Sequence, residues 1–152
     1  MRFFSSKPQH YFSAEEHQRI VGAILEAEKL TSGEIRIFIE SRCRFVDPLD
    51  RAKEVFYGLK MDKTERRNGV LVYIAMKDHQ LAVYGDEGIH HKVGSDFWKE
   101  EVGKMLSAFR ARNPVEGITE LVKSIGTALQ AHFPYMPGLD KNEMPDDIVF
   151  GK

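Results

Sequence analysis

The segment Val70-Leu71-Val72-Tyr73-Ile74-Ala75 is apolar along its whole length. A strand alternates its side chains between two faces, so neither face of this one can be left to water. Such a strand belongs inside a sheet that is covered by helices on both sides. A polar turn follows at Lys77-Asp78-His79, and Leu81-Ala82-Val83-Tyr84 returns as a second strand. The two make a hairpin, so the sheet contains at least one antiparallel pair.

The flanking sequence supplies the helices. Ser13 followed by Glu16 has the spacing of a capping box, and Ile20, Ala23, Ile24 and Ala27 recur behind it at helical intervals. Thr31-Ser32-Gly33 stops that helix. From Glu34 to Glu40, Ile35, Ile37 and Ile39 alternate with Arg36, Phe38 and Glu40, which is strand periodicity. Asp47-Pro48 reads as an N-cap with proline at the first helical position, and Ala52, Val55, Phe56 and Leu59 form the stripe of a second helix. Lys60 to Asn68 is polar and reads as a loop. Ile89 to Val93 fits one helical turn. Trp98, Val102, Met105, Leu106 and Phe109 mark a longer helix, and that stripe reads as core rather than a cofactor box. Asn113, Pro114 and Glu116 have the pattern of N-cap, first position and box partner for a last helix, whose buried face is Ile118, Leu121, Val122, Ile125 and Leu129.

A strand–helix–strand unit crosses over right-handed and yields parallel neighbours. The expected architecture is therefore an α/β class, three-layer α/β/α sandwich around a small mixed sheet, parallel strands plus an antiparallel hairpin. Its domain would span residues 13–133, preceded by an N-terminal arm at 1–12. Residues 134–152, with three prolines and four carboxylates, read as a flexible acidic tail.

The 22 basic and 23 acidic residues leave a net charge of −1, which argues against a nucleic-acid binder. A lone cysteine, Cys43, forms no internal disulfide. The longest apolar run, Val70 to Met76, is too short to span a bilayer, so no membrane insertion is expected. The N-terminus lacks the apolar stretch of a secretory signal, which points to a cytoplasmic protein.

The topology also predicts where loops meet. The hairpin's second strand runs back, so its exit lies beside the entrances of the two parallel strands. Thr31-Ser32-Gly33-Glu34, the segment from Asp62 to Asn68, and Gly85-Asp86-Glu87-Gly88 should converge. Asp62, Glu65, Asp86, Glu87 and Glu34 could then gather as oxygen ligands for calcium, with magnesium as the other hard cation. A plainer role for Asp86 is to cap the short helix near Ile89, and both roles can hold together. Arg66 and Arg67 are candidate phosphate donors or a solvated basic step into the strand. Asn68-Gly69 reads as a left-handed turn into that strand. The usual rule for open α/β sheets selects the opposite end, at the carboxyl ends of the parallel strands, where Ser41 to Asp47 and the Lys77–His79 turn lie.

Other chemistries find no support. His90 and His91 are adjacent and diverge, and no Cys or His spacing suits zinc. A cysteine phosphatase needs arginine six positions after its cysteine, but Leu49 stands there. Asp47 and Asp50 are three apart rather than two, and no glycine-rich phosphate cradle is present.

Asn68-Gly69-Val70-Leu71-Val72-Tyr73-Ile74-Ala75, Tyr84-Gly85-Asp86-Glu87-Gly88-Ile89, Ala108-Phe109-Arg110 and Glu116-Gly117-Ile118, in that order, resemble the TPM domain family. Thr31-Ser32-Gly33-Glu34-Ile35 and the helix before it fit as well. The resemblance implies an α/β/α sandwich. It also implies calcium binding, as in some members, and an acid phosphatase activity, as described for a plant member. Other members are thylakoid-lumen proteins linked to photosystem II repair, or bacterial proteins without an assigned role. Lacking a signal peptide and an anchor, this sequence resembles the stand-alone, soluble branch. The leading expectation is a calcium-binding accessory module with a protein partner. The alternative is a metal-assisted phosphatase for phosphate monoesters, with Arg66 or Arg67 holding the ester.

Overall fold

In the computed structural model, which describes residues 4–5, 11–136 and 148–151, five strands form one mixed sheet in the order β1-β5-β2-β3-β4. The elements run β1 (Phe4–Ser5), α1 (Ala14–Glu28), β2 (Glu34–Glu40), α2 (Pro48–Gly58), β3 (Gly69–Ala75), β4 (Gln80–Gly85), α3 (Glu87–Val93), α4 (Ser95–Arg110), α5 (Pro114–His132) and β5 (Val149–Gly151). β2 and β3 are parallel in register from Glu34 opposite Gly69 to Glu40 opposite Ala75, and α2 is their crossover. β3 and β4 form the expected antiparallel hairpin.

Every residue of β3 is buried, as its composition requires. The sheet separates two cores. On one face Ile35, Ile37 and Ile39 join Val70, Val72, Ile74, Leu81 and Val83 beneath α1, α4 and α5. On the other, Phe38, Leu71, Tyr73 and Ala82 meet Ala52, Val55 and Phe56 of α2. The period-two pattern assigned those faces correctly, and the result is the α/β/α sandwich.

Three expectations need correction. The flexible tail does not extend to the described C-terminus: Val149–Gly151 is a buried strand that lies parallel to β2, with Phe38 opposite Val149 and Ile39 opposite Phe150. The physical reason is that β2 has a free hydrogen-bonding edge and two apolar faces, which Ile148, Val149 and Phe150 complete. Their short apolar run is hidden in sequence behind prolines and carboxylates. Phe4 and Ser5 of the N-terminal arm pair with β5 in turn. Residues 137–147 of the expected tail lie outside those described. Asn113, second, does not cap α5 with its side chain, so the capping box there fails although Pro114 occupies the first turn. Third, α3 begins at Glu87 and runs to Val93, so Glu87 and Gly88 belong to the helix rather than to a loop. The polar segment after α2 also contains a 3₁₀ turn, Met61–Lys63, whose Met61 is buried. Among the described residues no helix is long and apolar enough to cross a membrane.

Candidate functional site

The three loops do converge at the amino ends of β2 and β3. The Ser32 hydroxyl accepts from Arg66 Nη1 and from Asn68 Nδ2, each at 3.2 Å. The Asn68 carbonyl accepts from the Glu34 N–H, and the Gly69 carbonyl from the Asp86 N–H at 2.9 Å. Gly88 is held against the Arg67 carbonyl, which accepts its N–H at 2.8 Å. A Cβ at Gly88 would stand 2.2 Å from the Arg66 carbonyl oxygen, so only glycine permits this approach.

The chemistry at this junction is an ion-pair lock. Arg67 Nε and Nη2 donate to the two oxygens of Asp86 at 2.7 and 2.9 Å, a bidentate fork. Asp86 is 1% exposed and also accepts from the Glu87 N–H at 2.8 Å, which makes it the N-cap of α3. Arg67 Nη1 reaches Glu87 at 3.1 Å. The bond to Asp86 holds the guanidinium even further above its ordinary range. The capping role and the acidic pair are therefore both present, with arginine as their shared counter-ion.

The other carboxylates do not join them. Asp62 sits in the 3₁₀ turn with Lys63 at 3.6 Å. Glu65 is exposed, and Glu34 is buried at the start of β2. Among the described residues no three His, Cys, Asp or Glu side chains come together as a cation site would require. The set expected to hold calcium does not fit that role in this arrangement, because both Asp86 oxygens are committed to Arg67 and to the helix cap. Arg66 faces Ser32 rather than an open anion site.

The opposite end of the sheet carries a second lock that sequence reasoning missed. Glu40, at the end of β2, receives Arg51 Nε and Nη2 of α2 at 2.9 and 3.0 Å, and the Tyr73 hydroxyl donates to it as well. Burial, then the bond to Glu40, pushes the Tyr73 hydroxyl far above the usual tyrosine range. The bond to Glu40 likewise raises Arg51. Above this buried cluster lies a pocket of about 490 Å³ lined by Glu40, Ser41, Arg42, Arg44, Arg51 and Lys77. The topological rule for open α/β sheets was the signal that pointed here.

A third feature is a cleft of about 690 Å³ along β4, the edge strand. Leu81 through Gly85 form its floor, with Pro48 and Leu49 of α2 on one wall and Trp98, Val102 and Leu106 of α4 on the other. The acidic segment closes one end, where Gly85 lies under the Trp98 ring and Glu87 and His90 line the rim. Trp98 Nε1 donates to His90 Nδ1 at 3.0 Å, which fixes the indole there.

The TPM domain family model matches residues 5–128. The NMR structure of BA42 from the psychrophilic bacterium Bizionia argentinensis is 40% identical, with a TM-score of 0.85 over 97% of this chain and 100% of that chain. The N-terminal domain of cg2496 from Corynebacterium glutamicum has a TM-score of 0.59 at 12% identity, covering 97% of this chain and 93% of that one, a likeness of fold. No curated protein matches.

Proposed function

The chain belongs to the TPM domain family, and from that premise we propose that it is an accessory module that grips an extended apolar segment of a protein partner along β4. The observation that carries this reading is the free edge of β4 at the floor of the cleft. The bond from the Asp86 N–H to the Gly69 carbonyl sets the parity of the hairpin ladder. With the register of Val70 opposite Gly85, it leaves the N–H and C=O of Leu81, Val83 and Gly85 pointing away from β3. Added strands use such groups for affinity and the flanking apolar walls for selectivity.

The Arg67–Asp86 lock then has a structural role: it orders the segment that closes the cleft. Calcium, expected from the carboxylates, would have to displace Arg67 from Asp86, and the module does not require it. Phosphate-ester hydrolysis is the weaker reading, because Arg67 is committed to Asp86 and Glu87, and Arg66 to Ser32.

Backbone NMR titration with a short peptide of alternating valine and threonine tests the proposal. Shifts should concentrate on Leu81 to Gly85 and the Trp98 indole, and Val102→Arg should abolish them. Shifts that spread elsewhere, or survive Val102→Arg, would overturn it. A separate calcium titration that moves Asp86, Glu87 and the Arg67 side chain together, and saturates, would instead restore the cation-binding reading.

A further inference from the structure

The loop between β2 and α2 carries an apolar tip at Phe45 and Val46 and a cationic flank at Arg42 and Arg44, neither of which lines the β4 cleft. Phe45 is 98% exposed and has a left-handed backbone, φ 70°. That conformation costs an L side chain energy, and an aromatic ring held there in water gains no burial in return. Val46 beside it is also about half exposed, at 47%. Cys43 Sγ donates to the Val46 carbonyl at 3.4 Å, which folds the tip into a tight turn.

The same loop lines the cationic pocket. Arg42 and Arg44 contribute to it with Arg51 and Lys77. Arg51 is neutralised by Glu40 and Glu54, and Arg42 pairs with Asp78 at 3.0 Å. Arg44 and Lys77 make no ion pair among the described residues, and both are exposed. Two unpaired cations thus stand on one side of an apolar tip, and the nearest carboxylate in sequence, Asp47, follows Val46 and caps α2. A protein partner would match an apolar tip alone equally well. The pairing of that tip with two unpaired cations lining one pocket fits a surface that is anionic outside and apolar just beneath.

We propose that the Arg42–Val46 loop docks peripherally on an anionic lipid surface, with Phe45 and Val46 entering the headgroup–acyl boundary and a headgroup phosphate taken between Arg44 and Lys77. The reading does not rest on the β4 cleft, whose wall begins at Asp47 where this loop ends and which has its own test.

The full chain is mixed with vesicles of phosphatidylcholine alone and of phosphatidylcholine with phosphatidylglycerol, and bound protein is sedimented at low and high salt. Binding is expected only to the anionic vesicles and should weaken with salt. Arg44→Ala and Lys77→Ala should each lower the partition coefficient about five-fold, which is the worth of one basic residue near such a surface. Phe45→Ala should lower it about ten-fold, as expected for losing part of an aromatic's apolar burial. All three side chains are exposed, so unchanged circular dichroism confirms that the fold survives. Phe45→Trp should show blue-shifted emission on anionic vesicles, above the constant contribution of Trp98. The proposal is overturned by no binding to anionic vesicles at low salt, by equal binding of wild type and Phe45→Ala, or by NMR shifts at Arg44 and Lys77 with inorganic phosphate but no vesicle binding. The last would assign the pocket to a free anion. A concentration-dependent dimer lost in Phe45→Ala, without vesicle binding, would assign the tip to a second copy.

Discussion

The two ends of the sheet are built on the same device and differ in what surrounds it. At the amino ends of β2 and β3, Arg67 forks onto the buried Asp86. At the carboxyl ends, Arg51 forks onto the buried Glu40. The first lock sits where glycine lets two loops pack carbonyl against backbone, and Arg67 also reaches Glu87, as Arg51 reaches Glu54 in the second. The second opens upward into a pocket with Arg44 and Lys77 left over. The two ends therefore differ in access: at the second, a pocket stands over the lock, and Arg44 and Lys77 on its lining make no ion pair among the described residues. Counting carboxylates in loops located a structural lock, whereas the pocket lined by unpaired cations lies at the other end.

The strongest way to break this comparison is to remove one arginine. Arg51→Met leaves Glu40 buried with only the Tyr73 hydroxyl, and should cost roughly 3–5 kcal/mol in urea unfolding, the usual penalty for an uncompensated buried charge. Glu40→Gln combined with Arg51→Met should recover most of that loss. A single-variant cost below roughly 1 kcal/mol would mean that Glu40 does not depend on Arg51 and that the two locks are not alike.

Closure of the first lock is tested by Gly88→Ala. The added methyl meets the Arg66 and Arg67 carbonyl oxygens, which are backbone and cannot swing away. About 2 kcal/mol of destabilisation is expected, within the range for overpacking. A neutral outcome in denaturant titration would show that the loops are not tightly joined.

A pH series sharpens the second lock. Tyr73 is raised in the folded protein by burial and by its bond to Glu40. Its contribution is fully present below the unfolded tyrosine value of about 10 and is lost as pH rises beyond it, because the unfolded chain then releases a proton that the native state keeps. Melting temperature should fall above about pH 10, and Tyr73→Phe should flatten that fall. An unaltered slope would remove Tyr73 from the lock.

The smallest effect is expected from Arg67→Lys. The charge remains but the fork is lost, and the site is partly open to water, so the melting temperature should drop less than in Arg51→Met. A larger drop would make the acidic end the more demanding of the two.

Much of the fold was legible from the chain. The unbroken apolar run at Val70–Ala75 required covered faces on both sides, and the hairpin and the convergence of three loops followed from it. The β5 strand was not legible. Its apolar residues are too few to carry a period, and their value depends on the free edge of β2. At the candidate site, Asp86 was identified as both cap and acidic centre, and the cap holds. Its partner was assigned wrongly, because Arg67 was weighed as a phosphate donor or a solvated step and not as a counter-ion. Glu40, Arg51 and Tyr73 escaped notice because each looks ordinary in its own element: the last residue of a strand, a helix surface position, and one member of an apolar run.

The sequence by itself determined the layers. Burial of apolar surface follows the local period of side chains, and that period can be read along the chain. Only the tertiary structure decided which charges meet. An ion pair needs its atoms within about 4 Å, and here the partners come from Arg67 and Asp86 in one lock and from Glu40 and Arg51 in the other. No periodicity encodes those distances. They are set by how the strands, once stacked, aim their ends.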